Sequence, residues 1–448
     1  MTAADISARR LIYKGLLEFE QHKTRLDDLF GSIFSEYNPD NNAKRHIHNV
    51  ISGTVRHLLY IDWIISGLYH GNYKKLLNKL KSLLRPAVYE IIFLSHIPPH
   101  ATVNEYVEVA KKTSGISQSK TINGILRTLL RTEPLPSPKE KITDPVTQIS
   151  IQYSFPLWLV KRWAGFFGLQ ETEKLCAYLN TFPDFDIRIN EQMISRENFL
   201  TKLQKAGIDA RPSVKFSNFI KVNEMQSFIQ GGWIADGLCY VQDESASIPV
   251  RLLNPAENDW ILDVCAAPGG KYTQILESNA KNISAVAVDS DHKRLKKVKE
   301  NASGYPGRKC FYVAADGRKL PFKIKFDKIL VDAPCSGLGV IRKRPDIKWR
   351  REMKDIVEFS GIQYDLLKEA AAFLKSKGKL VYSTCTIDEL ENTEVIKRFL
   401  EKQIQFKLEK IPESLADYSA SGFINTIPHR HHMDGSFAAI LTRKDKIN

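Results

Sequence analysis

Two cysteines stand in matching contexts, Asp332-Ala-Pro-Cys335-Ser-Gly and Ser383-Thr-Cys385-Thr, each just after a short apolar run, Lys328-Ile-Leu-Val331 and Lys379-Leu-Val-Tyr382. Runs of that kind read as buried strands. In an open α/β sheet, ligands bind in the crevice beyond the carboxyl ends of the strands. Two thiols delivered to that crevice predict sulfur chemistry on a substrate. A thiolate attacking carbon splits one difficult substitution into easier steps. The other cysteines, at 176, 239, 265 and 310, fit a role as small buried hydrophobes. The flanking Pro-Cys-Ser-Gly and Ser-Thr-Cys set Cys335 and Cys385 apart.

The attacking sulfur must be a thiolate and so needs an electropositive setting. After Cys385, Asp388-Glu-Leu-Glu391 reads as a capping box that opens a helix and brings its positive end close. After Cys335 come Gly337, Gly339 and the basic run Arg342-Lys343-Arg344, which serves equally well. Spacing and charge alone leave the order of the two thiols open.

The elements that must position them follow a strand–helix rhythm from about residue 258. Trp260–Val264, 283–288, 309–313, 328–331 and 380–382 are strand-like and mostly separated by amphipathic stretches, which predicts a parallel, doubly wound sheet. Phe437–Leu441 is expected as a last, antiparallel strand. The first strand leads into Cys265-Ala266-Ala267-Pro268-Gly269-Gly270-Lys271 and then a helical stretch. Small residues and paired glycines let a ligand approach the backbone, and a helix start offers free N–H groups. The loop is neither G-x-G-x-x-G nor G-x-x-x-x-G-K-[ST], which disfavours a dinucleotide or triphosphate. Asp289, Asp316 and Asp332 end the next three strands. One such aspartate alone is better read as a helix cap. Three beside a Gly-Gly loop suit a ligand with hydroxyls, an amine and a positive sulfonium, as in S-adenosylmethionine.

Ahead of this sheet, residues 1–131 show apolar positions at helical spacing, such as Leu11, Ile12, Leu16 and Leu17, or Val50, Ile51, Val55 and Leu58. Pro98-Pro99 ends one segment, Asn104 opens another, and 122–130 closes an all-α domain. Prolines in 132–147 mark a linker. Residues 148–250 mix helix and strand signals and read as a small α+β RNA-binding module; 251–448 form the sheet domain.

The chain has 448 residues, 43% of them hydrophobic, enough for two or three cored domains. No uninterrupted apolar run is long enough for a membrane span, and charges fall in residues 1–19 where a signal peptide needs an apolar stretch, so a cytoplasmic protein is expected. The six cysteines form no C-x-x-C pair, and His429-Arg-His-His432 lacks a completing ligand set, so neither disulfides nor a metal is expected. Lys+Arg exceeds Asp+Glu by 65 to 51, a net charge of +14 that favours a polyanionic partner.

At these residues the chain resembles the RNA cytosine-C5 methyltransferases, in particular the bacterial 16S rRNA methyltransferases of the RsmB/Sun type. The matching segments are Asp263–Lys271, Asp332–Asp346, Tyr382–Thr386 and Asp434-Gly-Ser-Phe437, with Arg188-x-Asn190 and Gln242-Asp-Glu-Ser245 as weaker matches. Residues 1–131 look like the RNA-binding domain of the antitermination factor NusB. The resemblance implies a Rossmann-like class I methyltransferase sheet preceded by the α+β module and a NusB-like all-α domain. It implies S-adenosyl-L-methionine as cofactor, held by Cys265, Ala266, Ala267, Pro268, Gly269, Gly270, Lys271, Asp289, Asp316 and Asp332. It assigns attack on cytosine C6 to Cys385 and release to Cys335, with Asp332 holding the flipped base. Tyr272 departs from the threonine that the family has after the lysine, beside the expected cofactor.

With that chemistry, Arg342, Lys343, Arg344, Lys348, Trp349 and Arg350 form a basic, aromatic-bearing loop expected to grip RNA, probed by cations on phosphate and an indole on a base. Arg9, Arg10, Lys44, Arg45 and Arg127 are further candidate phosphate contacts on the helical domain. The target base must leave its stack to be modified, so 16S rRNA in a loop or an unfinished subunit is the expected substrate. Two competing readings are a DNA cytosine-C5 methyltransferase and a non-catalytic ribosome-assembly or antitermination factor that binds RNA through the helical domain.

Overall fold

In a computed structural model the described residues are 7–305 and 307–444. Part of the charged N-terminal stretch, residues 1–6, lies outside them. Among the described residues no helix is long and apolar enough to cross a membrane. The chain forms two compact units. One runs to Thr181 and includes Ile341–Arg350; the other comprises Phe182–Val340 and the residues from Arg351 on.

The first unit is helical, with helices at Ala8–His22, Leu26–Tyr37, Asn41–Arg56, Leu58–Leu68, Asn78–Phe93, Pro99–Ser114 and Ile116–Arg131. The periodic apolar positions Leu11, Ile12, Leu16, Val50, Ile51, Val55 and Val88 are buried in one core, while Leu17, Ile91 and Ile92 pack at its rim. The sixth helix starts at Pro99 rather than Asn104, with Pro99 in its first turn. Proline lacks an N–H, and the first helical turn is where that donor has no intrahelical partner anyway. The linker holds one four-residue turn of helix, Pro138–Lys141. The helices Pro145–Gln152, Leu157–Phe167 and Leu169–Leu179 also lie in this unit, so compactness divides the 148–250 stretch near Thr181.

The second unit carries two sheets. The small one contains β1 (Phe185–Ile189), β2 (Ala210–Pro212), β3 (Phe219–Val222) and β4 (Cys239–Val241) in the order β2-β3-β1-β4, all antiparallel. Helix Arg196–Lys205, capped by Ser195, covers it through Phe199 and Leu203. The large sheet contains β5 (Trp260–Val264), β6 (Ser284–Asp289), β7 (Lys309–Ala314), β8 (Phe326–Asp332), β9 (Leu374–Thr384), β10 (Phe406–Leu408), β11 (Ser419–Ala420), β12 (Phe423–Thr426) and β13 (Ser436–Arg443).

Its order is β11-β12-β13-β9-β8-β5-β6-β7, with β10 against β13. Strands β5 to β9 pair in parallel, and β13 joins β9 antiparallel, so the sheet is the Rossmann-like class expected. Side chains alternate between two cores. Ile261, Ala285, Ala287, Leu330 and Val381 lie on one face; Leu262, Val264, Val286, Ile329, Val331 and Leu380 lie on the other. Both faces are covered, which is why these strands read as continuous apolar runs. From β5 the chain steps outward to β6 and β7, then returns to β8 on the other side of β5. That reversal creates a crevice between the carboxyl ends of β5 and β8.

Candidate active site

A cavity of about 410 Å³ opens at that switch point, lined by Cys265, Ala267, Asp289, Asp316, Asp332, Cys335 and Cys385 among others. The sheet register explains the gathering: Val264 pairs with Val288 and Val331, and Asp332 with Ser383, so the strand ends are level. The two cysteines singled out by sequence, 50 residues apart, place their Sγ atoms 3.2 Å from each other. The Cys385 N–H also points at Cys335 Sγ, at 3.4 Å.

The pair shares its protons unequally. The contact with Cys335 holds the Cys385 thiol below its ordinary pKa, against the opposing effect of burial and with help from the nearby Lys271 charge. Cys335 is pushed well above its ordinary value by the same contact and by burial. The contact therefore favours negative charge on Cys385 over Cys335. Cys385 is also the more exposed of the two.

The helix expected to charge this site starts later than the sequence suggests. Residues 389–392 form turns, and the helix is Thr393–Lys402 with Asn392 at its cap and no side-chain capping bond. The expected capping box at Asp388–Glu391 is therefore not formed, and the helix dipole, which fades within the first turn, begins only at Thr393. Glu391 turns instead toward the Cys335 loop. Its carboxylate accepts the Ser336 N–H at 2.8 Å, the Ser336 hydroxyl, and Gln363 Nε2 at 3.0 Å. Burial pushes this carboxyl up to about 7, opposed by the bonds from Ser336 and Gln363.

Of the loop 265–271, Cys265 and Ala267 line the cavity while the rest shape it. Cys265 has a left-handed backbone at φ 64°, and the Ala266 N–H donates to Val288 O at 2.9 Å. Pro268 O accepts Asn301 Nδ2 at 2.9 Å. Gly269, at φ 109°, lies so close to the helix His292–Ala302 that a Cβ there would stand 3.2 Å from Val298 Cα, which is why glycine is needed. Gly270 O accepts from Arg188 at 2.9 Å. Lys271 Nζ sits 2.8 Å from Asp332 Oδ2. Burial works against the Lys271 charge, but Asp332 holds its pKa above the ordinary value.

The three carboxylates expected at strand ends behave differently, and Asp316 lies two residues beyond the end of β7 at Ala314. Asp289 accepts the N–H groups of Ala267 and Asp291, at 3.2 and 3.0 Å. Asp316 is held by Arg318, whose Nη2 lies 2.7 Å away and keeps the carboxyl below its usual range. Asp332 is shared by Lys271 and Ser383 Oγ, the latter at 2.8 Å.

Asp263 in β5, which sequence reasoning quoted without a role, is buried with neither carboxylate oxygen partnered. Burial and the charge of Asp332 raise its pKa well above the ordinary value. A cavity ringed by carboxylates, with an orphaned acid behind it, fits a cationic ligand bearing hydroxyls and an amine, and repels phosphates. S-adenosylmethionine passes that test: Asp289 and Asp316 would take its hydroxyls and base edge, and Cys265 to Ala267 its backbone contacts. Tyr272 points away, its hydroxyl donating to Ala285 O at 2.9 Å.

Two weak sequence matches acquire clear positions. Arg188, fully buried, donates to Gln242, Gly270 O, Thr273 and both oxygens of Glu277. A buried charge is tolerable only when so paired, and here it anchors the cofactor-type loop to β1. Asp434–Phe437 backs the thiols: Gly435 N donates to Gly339 O at 2.9 Å, and Gly339 N to Cys385 O at 3.1 Å. Residues that sequence reasoning missed are Glu391, Gln363, Ser383 and Arg294, whose Nη2 donates to Ala267 O at 2.8 Å. Only Glu391 carried a signal, and that signal resembled a helix cap.

The basic loop divides. Residues 341–350 lie in the helical unit. Lys348 is buried; its Nζ donates to Arg56 O at 2.7 Å and sits over the Phe155 ring. Burial lowers its pKa far below normal, aided by Arg56. The Trp349 indole donates to Val55 O at 2.6 Å. Arg342 donates to Tyr178 OH and Arg350 to Asp346. Lys343 is half-buried, and Arg344 is exposed and 3.2 Å from Asp27. The indole and Lys348 ammonium therefore hold the segment to the helices, because their stems are apolar enough to bury. Arg9 likewise turns inward to Glu90 and Glu105. At the C-terminal side, His431 Nδ1 accepts the Ile427 N–H at 2.7 Å, and among the described residues no cluster of three or more His, Cys, Asp or Glu could hold a metal.

Comparison with known proteins gives three matches along the chain. Residues 250–442 match the family described as 16S rRNA methyltransferase RsmB/F. Residues 6–131 match the NusB family and 155–228 the RsmF/B-like ferredoxin-like domain. The probable ribosomal RNA small subunit methyltransferase B of Bacillus subtilis is 31% identical over 98% of this chain and 99% of its own. The ribosomal RNA small subunit methyltransferase B of an Escherichia coli strain is 32% identical over 90% of this chain and 91% of its own. Among solved structures, PH0851 superposes with a TM-score of 0.81 at 25% identity over 98% of this chain and 99% of that one.

Proposed function

This chain belongs to the ribosomal RNA small subunit methyltransferase B family, and from that premise we propose that it methylates C5 of a cytosine in 16S rRNA through a covalent adduct between Cys385 and C6, with S-adenosyl-L-methionine as donor. The observation that carries the reading is the thiol pair, 3.2 Å apart at the mouth of a carboxylate-lined cavity. Bound in that cavity, S-adenosylmethionine supplies an electrophilic methyl group on a sulfonium centre.

The remaining work falls to the protein. Cys385 Sγ adds to C6, and the electron pair of the C5–C6 double bond makes C5 nucleophilic toward the methyl group. Asp332, fixed by Lys271 and Ser383, holds the amino edge of the flipped base. After transfer, C5 carries both a methyl group and a proton. Cys335, as the base, takes that proton; the electron pair reforms the C5–C6 bond and expels Cys385 as thiolate. Cys335 can accept the proton only as a thiolate, so its own proton must first pass to water once Cys385 is carbon-bound. Bonding Cys385 to carbon removes the charge that keeps Cys335 protonated, so attack itself prepares the second thiol.

The NusB-like helices and the exposed Arg344 would carry the RNA. The cytoplasm, where rRNA is made and assembled in bacteria, is the proposed compartment. Incubation with tritiated S-adenosylmethionine and either 16S rRNA or duplex DNA tests the reading. Label should enter rRNA at C5 of cytosine, Cys385→Ala should abolish it, and Cys335→Ala should leave a protein–RNA adduct on a denaturing gel. An adduct in the Cys385 variant instead would reverse the roles. Label in DNA, or no cofactor binding by calorimetry, would replace the reading with one of its competitors.

A further inference from the structure

Nothing in the reaction just described uses Glu391, yet its surroundings are unusually specific. Cys335 lies between Pro334 and Ser336, and the backbone on both sides is held by the same two side chains. Gln363 Nε2 donates to Pro334 O at 2.9 Å and to Glu391 Oε2 at 3.0 Å. The Glu391 carboxylate takes the Ser336 N–H at 2.8 Å and its hydroxyl as well. Arg351 Nε completes the arrangement on Ser336 O at 3.0 Å. Glu391 is also tied to the other thiol's strand, because its own carbonyl accepts the Tyr382 hydroxyl at 2.6 Å. Glu391 and Gln363 are both buried, so these bonds do not compete with water.

We propose that Glu391, acting with Gln363, is a positioning residue for the release half of the reaction, clamping the peptide groups on either side of Cys335 so that its thiol stays against Cys385. The inference rests on the covalent reading above. Attack is made by Cys385 from its own strand end and draws on Cys335 only through the contact that lowers its pKa. Proton removal from C5 needs Cys335 at a fixed distance from the adduct, and small displacements of a catalytic group are costly. Loosening the clamp therefore slows release more than attack. The geometry also specifies a rescue. A glutamine at 391 can offer its amide oxygen to Ser336 N and Gln363 Nε2, and its amide N–H to the Ser336 hydroxyl, so the clamp survives without the charge.

The test uses the full chain with S-adenosylmethionine and 16S rRNA, quenched during turnover and run on a denaturing gel. Cys335→Ala serves as the reference: if it traps no adduct, the covalent reading fails and this inference with it. With that adduct present, Glu391→Ala should raise the steady-state adduct at least about fivefold over the unaltered protein while its affinity for S-adenosylmethionine stays unchanged. Glu391→Gln should return the adduct to near the unaltered level. Normal cofactor binding by Glu391→Ala without excess adduct overturns the proposal, as does a glutamine variant as defective as the alanine one. Should Glu391→Ala fail to bind cofactor, Gln363→Ala decides on the same gel: excess adduct supports the clamp and its absence overturns it.

Discussion

Lys271 Nζ and Asp332 Oδ2 lie 2.8 Å apart, joining the loop after β5 to the end of β8. The other oxygen of Asp332 accepts Ser383 Oγ from β9, so one carboxylate fastens three segments around the cavity. With side-chain exposures of 15% and 31%, the pair stands between a buried and a surface ion pair. Its loss is expected to cost roughly 1–2 kcal/mol.

Asp332→Asn tests that join. The variant should unfold at lower denaturant by about that amount, and methyl transfer to rRNA should fall at least about a hundredfold, since Asp332 fixes Lys271 and, in the proposed reaction, holds the base. Urea melts together with tritium incorporation check both. A large loss of activity with unchanged stability would mean that the ion pair adds little to the fold.

The thiol pair predicts a pH effect with a definite sign. Cys335 holds the Cys385 pKa down. Cys335→Ala removes that support, so the pKa of Cys385 should rise. Alkylation of Cys385 by iodoacetamide at pH 7 should then slow several-fold, with its pH midpoint moving upward. Mass spectrometry of the modified cysteine follows both quantities. In the unaltered protein, Cys385 should alkylate ahead of Cys335.

Gly339 sits where backbone meets backbone. A Cβ there would run into Gly435 O and stand 2.8 Å from Cys385 O. Gly339→Ala must push the Cys385 turn or the Gly435 turn aside. A stability loss of roughly 1–3 kcal/mol is expected, as for other overpacked sites. Turnover should fall by more than the folded fraction does, because the displaced atoms carry the thiol proposed to attack.

The basic segment predicts contrasting variants. Lys348 is buried on carbonyl oxygens, so Lys348→Met should leave rRNA affinity within about twofold. Burial holds the Lys348 pKa below that of the unfolded chain, so its charge favours unfolding; that penalty is full below the lowered pKa, fades as pH rises from there toward the ordinary lysine value, and is gone above it. Arg344→Ala should weaken rRNA binding and reduce the slope of log affinity against log salt by about one. Filter binding at several salt concentrations distinguishes the two.

Local chemistry explains what was legible beforehand. Apolar runs buried on both faces announce parallel strands, and β5 to β9 lie where those runs stand. The helical periodicity of residues 8–131 is equally local, apart from the start at Pro99. Strand-end placement also made the crevice legible, because Cys335 and Cys385 follow β8 and β9 within three residues. The chain's own pattern of residues thus determined the fold class, the two thiols and the carboxylate-lined cofactor-type loop.

Tertiary structure decided how those parts act on one another. Glu391 has the sequence signature of a helix cap, yet the donors of Ser336, 55 residues away, claim it instead. Lys348 and Trp349 look like an RNA grip but bond to carbonyls of Arg56 and Val55 in the helical unit. Which thiol is the more acidic is likewise set by a 3.2 Å contact between the ends of separate strands. Periodicity and propensity act over a few neighbouring residues. Hydrogen bonds and charge sharing depend on distances in space, and only the closed sheet brings those distances about.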